Sequence, residues 1–159
     1  MAMILSTKSK SVMLTQILTI MLFVFLVVML FFIPSVGKWY SSVAHATAIR
    51  PTDNKEAAIA LSAVLYAAEI PALSAVISVW KLLSNITDER IFVQNNVKLL
   101  RILSYCCFAV TVIFIFFGIY TFVSLAIALA AAFMGLILRV LKNVFSKAVE
   151  LREENDLTV

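Results

Sequence analysis

The sequence has almost no material for catalysis. Its 159 residues include one histidine, three glycines, three prolines and two cysteines. One histidine cannot supply a zinc-binding pair, and no Ser/His/Asp set, HExxH helix or glycine-rich phosphate loop is present. The cysteines, Cys106 and Cys107, are adjacent; sequence neighbours do not form an ordinary structural bridge, and CxxC metal spacing is absent. They read as small apolar packing residues. No enzymatic activity, metal or cofactor is expected. Charge is also scarce, at 14% of residues against about 25% in soluble domains.

Apolar side chains dominate instead: 63% of the chain is hydrophobic and the mean hydropathy is +1.04. No soluble core of this length absorbs that excess, whereas helices crossing a bilayer need roughly 20 apolar residues each. Lipid takes the place of a core, and the length leaves room for a single domain. The net charge of +4 comes from basic residues at the ends of apolar runs, not from a stripe interleaved with aromatics. Direct nucleic-acid binding is therefore not expected.

Four spans follow along the chain. The first, 12–33, is too long for a signal-peptide core, and the A-x-A-like Ala44-His45-Ala46 lies too far beyond it. Pro34, Gly37 and Pro51 then break the pattern in an extracellular loop, 34–56, with Trp39 and Tyr40 placed for the headgroup layer. The second span covers 57–83. A polar connection, 84–101, opens with Thr87 as a helix cap before Asp88 and Glu89, and its apolar residues recur at helical spacing. It reads as a short amphipathic helix leading into the third span. From Ile102 the chain carries no charge until Arg139, about twice what one helix needs. That stretch must be a hairpin, 102–120 and 122–141, turning at Gly118, Tyr120, Thr121 and Ser124. A helical stem, 142–159, follows, with Asn155 onward expected to leave the helix because Glu153, Glu154 and Asp156 oppose the helix dipole.

The fold class is thus all-α: a polytopic four-transmembrane-helix bundle with a short cytoplasmic amphipathic helix and a cytoplasmic C-terminal stem. Lys8, Lys10, Lys81, Arg90, Lys98, Arg101, Arg139, Lys142, Lys147 and Arg152 fall on one side of this arrangement, and only Lys38, Arg50 and Lys55 on the other. The positive-inside rule puts the termini and the 84–101 connection in the cytoplasm of a plasma-membrane protein.

Glu69 is the one carboxylate well inside a span, a default functional candidate because charge in hydrocarbon is costly. Pro71 loosens the helix beside it, so Glu69, Pro71 and Tyr66 form a candidate proton or cation site. The alternative is a structural carboxyl, either protonated or, in the outer third of its helix, hydrogen-bonded to Tyr66, Ser62, Ser74 or a neighbouring helix. His45, with Asp53 and Glu56, reads as a solvated loop residue rather than a metal ligand. The Asn85-Ile86-Thr87 triplet matches a glycosylation acceptor but falls on the cytoplasmic side. Gly135, Ala131 and Ala128 give the fourth span a small-residue face for internal packing or for a homo-oligomer.

The run Phe92-Val93-Gln94-Asn95-Asn96-Val97-Lys98-Leu99-Leu100-Arg101-Ile102 and the ending Glu150-Leu151 through Glu154-Asn155-Asp156-Leu157-Thr158-Val159 resemble two regions of a bacterial membrane-protein family catalogued as domain of unknown function 2975. The resemblance implies the same four-span plan. It also implies a regulatory role, because members are frequently encoded beside a small helix-turn-helix DNA-binding protein. On that reading Phe92, Asn95, Asn96, Arg101, Glu150, Glu153, Glu154, Asn155 and Asp156 are candidates for holding a basic partner by complementary charge. The same residues could instead cap and pack the connection. Three functions stay open: a membrane-bound regulator, an oligomeric channel or transporter using Glu69, and an accessory or immunity-type subunit of a larger membrane complex.

Overall fold

A computed structural model describes residues 2–43, 54–88, 91, 93–118 and 121–156. These form four helices, α1 (Ala2–Val43), α2 (Asn54–Thr87), α3 (Gln94–Phe117) and α4 (Phe122–Asp156), with no strand among the described residues. Each contains an apolar segment of at least 24 residues, long enough to cross a membrane. The large side chains left exposed along them, such as Phe31 and Phe32 on α1 and Leu129 and Phe133 on α4, are the apolar surface a bilayer solvates.

The helices pack in chain order. Among the described residues α1 meets only α2, α2 meets α1 and α3, and α4 meets only α3. The bundle is therefore an open row, and α3 holds a large share of the buried side chains, including Val97, Leu99, Leu100 and Leu103.

Three local features differ from the sequence expectation. First, α1 does not stop at Pro34 but runs on to Val43. A helix-interior proline removes the N–H that would bond the carbonyl four residues earlier, here that of Leu30. The Tyr66 hydroxyl on α2 donates to this same Leu30 oxygen at 3.3 Å, so a neighbouring helix supplies what the proline withholds. One turn on, Gly37 lies so close to Ala58 and Ser62 of α2 that an added Cβ would stand 2.9 Å from the Ala58 carbonyl oxygen.

Second, Thr87 ends a helix rather than beginning one: its hydroxyl donates to the Leu83 carbonyl at 2.9 Å, and the Asp88 N–H reaches Ser84 at 3.0 Å. α3 starts at Gln94 behind Val93, which makes no side-chain cap. The amphipathic segment is thus the opening of α3 itself, since Leu99 and Leu100 continue directly into its buried face. Third, α4 keeps its helical geometry through Asp156, slightly past the expected end.

The expected hairpin is present. Gly118, in ordinary right-handed conformation, closes α3 with its N–H on Phe114 and Ile115. The Ser124 hydroxyl donates to the Thr121 carbonyl at 2.7 Å as α4 begins.

Candidate functional site

Glu69 falls, by helix periodicity, on the face of α2 turned to α1. It lies seven residues, or two turns, after Ser62, which abuts Gly37, so the two share one stripe of α2. Only 8% of Glu69 is exposed, and its Oε1 is buried with no hydrogen-bond partner. The partners expected for a structural carboxyl are committed elsewhere. Tyr66 donates to Leu30, Ser62 to the Ala58 carbonyl at 2.8 Å, and Ser74 to the Pro71 carbonyl at 3.0 Å. By the register that the Tyr66–Leu30 bond sets, the α1 residues level with Glu69 are Leu26, Val27 and Leu30, none with a side-chain donor. Of the carboxyl, Oε1 is thus a buried oxygen without a hydrogen bond, which is costly in an apolar setting.

Two turns further along the same stripe, a cavity of about 260 Å³ opens between α1 and α2, lined by Thr19, Ile20, Phe23, Val76, Ile77 and Trp80. Glu69 does not line it. Thr19 gives its hydroxyl to the Thr15 carbonyl at 2.8 Å, so the space offers an apolar surface suited to a lipid chain.

At the other end of α2 a polar knot closes the connection. Asn96 is fully buried, accepts from the Asn85 amide at 2.6 Å and donates to the Ile91 carbonyl at 2.7 Å. Asn96 is thus inside the fold, not on a partner-facing surface, and Asn85 is engaged rather than open as a glycan acceptor. Gln16 reaches across from α1 to the Thr87 hydroxyl at 3.2 Å. The sequence offered no pairing signal for either bond, because both join residues on different helices.

The other candidates for partner contact stand outward. Asn95, Arg101, Glu150, Glu153, Glu154 and Asn155 are exposed, Asp156 closes α4, and Phe92 lies outside the described residues. His45 and Asp53 also lie outside them, while Glu56 is exposed. No group of three His, Cys, Asp or Glu side chains is arranged to hold a metal ion among the described residues.

The small-residue face of α4 packs inward. Ala128 is 2% exposed, and a Cβ on Gly135 would stand 3.2 Å from the Phe108 ring and 3.3 Å from Cys107. This contact fixes the antiparallel register of α3 and α4, and by it Val149, 2% exposed, stands level with the start of α3. Every residue from Glu150 to Asn155 is exposed, so α4 overhangs the start of α3. Lys147 and Glu150 pair at 2.9 Å at the base of this overhang, a solvent-exposed bridge of little energetic weight.

A family model described as Protein of unknown function (DUF2975) matches residues 10–159. It is the family that the two motifs around Asn95 and Asn155 indicated. No curated protein matches the chain, and no solved structure does.

Proposed function

The chain belongs to the DUF2975 family, and from that premise we propose that it is a non-enzymatic regulatory protein of a bacterial plasma membrane. Both termini lie in the cytoplasm, where the protein holds or releases a small helix-turn-helix DNA-binding partner. The observation that carries this reading is the α4 overhang: its exposed Glu150, Glu153 and Glu154 extend past the start of α3. The exposed carboxylates of this segment add little to the packed bundle, and their acidic character suits a basic partner. The distribution of Lys and Arg supports the orientation.

The test is mild-detergent purification of the tagged full chain from its own cells, with mass spectrometry of co-purifying proteins. A stoichiometric DNA-binding protein, lost when the chain is cut after Arg152, is the expected result. Recovery of this chain alone, as a defined oligomer, refutes a stable complex.

A second reading rests on Glu69. A buried carboxyl lacking a partner is suited to binding a proton or cation during transport. The two readings separate on Glu69→Gln. That change is close to silent for a regulator, whereas it abolishes flux in reconstituted vesicles for a transporter.

A further inference from the structure

We propose that the α3–α4 seam binds the headgroup of a dianionic phospholipid, with Arg101 and Lys142 facing each other across it and Lys98 and Arg139 beside them.

The argument starts from the Gly135–Phe108 contact, where a Cβ would come within 3.2 Å of the ring. Arg101 precedes Phe108 by seven residues, and Lys142 follows Gly135 by seven. Seven residues are close to two full turns, so each cation lies on the same stripe of its helix as the contact. Because the helices are antiparallel, both are displaced in the same direction, by about 10 Å. They therefore stand at one height on opposing sides of the seam. Arg139 and Lys98 lie three residues from their companions, within about one turn of that height. The 3.0 Å approach of Ser74 to Cys106 ties α2 to the same layer and brings Lys81 to it as well.

Among the described residues no acidic side chain is paired with these cations. Lys98, Arg101 and Arg139 are exposed and Lys142 is half-buried, its Nζ donating to the neutral Asn143 amide oxygen at 3.0 Å. The Lys147–Glu150 salt bridge involves none of them. The nearest acids along α2 and α4, Asp88 and Glu150, sit about 10 Å farther out. Opposed like charges without an acid call for an anion, and arginine's fork suits phosphate oxygens.

The surroundings select a lipid. Ile102, Tyr105, Leu136 and Val140 beside the cations are exposed and apolar or amphipathic, a surface for acyl chains directly under a phosphate. The charge excess also lies where the apolar runs end, the headgroup layer of a spanning helix. Four cations around one seam match a lipid with two phosphates better than a zwitterionic one.

Native mass spectrometry of the delipidated full chain tests this, using cardiolipin, phosphatidylcholine and inorganic phosphate as probes. Expected is one cardiolipin held in preference to phosphatidylcholine, roughly thirtyfold more weakly in Arg101→Gln/Lys142→Gln and unchanged in Lys147→Gln, whose lysine lies in the stem. Arg101→Lys/Lys142→Arg, which preserves the charge, should retain most of the binding and guards against loss by misfolding. Equal cardiolipin retention by the wild type and the Gln pair, or no preference over phosphatidylcholine, overturns the proposal. So does displacement of the lipid by millimolar inorganic phosphate, which would reveal a free-anion site.

Discussion

Replacing Tyr66 with Phe removes a single hydroxyl, yet the structure gives that hydroxyl a defined task. It donates to the Leu30 carbonyl, which Pro34 leaves without its helical N–H. In hydrocarbon no water substitutes for the lost donor. Interhelical hydrogen bonds in membranes average about 0.6 kcal/mol and reach about 1.7. An orphaned carbonyl places this one toward the upper half, about 1 kcal/mol, or roughly fivefold in the packing equilibrium. The discriminating experiment is a double-mutant cycle with Pro34→Ala, which restores a backbone donor to Leu30. In that background Tyr66→Phe should cost only a few tenths of a kcal/mol, so most of the effect appears as coupling. SDS-driven unfolding followed by fluorescence of Trp39 on α1 and Trp80 on α2 reads the equilibrium. An equal cost of Tyr66→Phe in both backgrounds refutes the reasoning, since the hydroxyl would then act independently of the gap left by the proline.

Asn96→Ala should be more damaging, by about 2 kcal/mol, because it strands the Asn85 amide and the Ile91 carbonyl in a buried knot; the same unfolding assay measures it, and a cost below about 0.5 kcal/mol would contradict the burial. Glu69→Met should be neutral or stabilise by up to about 1 kcal/mol, since it exchanges an unsatisfied oxygen for an apolar chain of similar length. A clear loss of stability in that variant would reveal a partner for Glu69.

The four spans were legible because hydropathy acts locally: an apolar run such as 12–33 proclaims its solvent without reference to any other residue. The hairpin at Gly118 followed from length alone, as one helix could not use so long an uncharged stretch. What escaped the sequence was everything decided between helices. Pro34 reads as an end until Tyr66 of α2 satisfies the carbonyl it frees. Asn96 reads as polar surface until Asn85 and Ile91 enclose it. Thr87 has the chemistry of a helix start and serves at a helix end, because its hydroxyl can also bond back to the preceding turn. Glu69 was legible as an anomaly of burial, but its isolation emerged only once Tyr66, Ser62 and Ser74 were seen bonded to backbone carbonyls.

The open row of helices bears on how the chain is made. Since α1 meets only α2 and α4 meets only α3 among the described residues, each helix can find its partner as soon as the next one leaves the ribosome and enters the bilayer. No contact waits for the last helix to close back on the first. Assembly can therefore proceed in the order of synthesis, through contacts of short sequence separation, the condition under which chains fold fastest and expose unpaired surfaces most briefly.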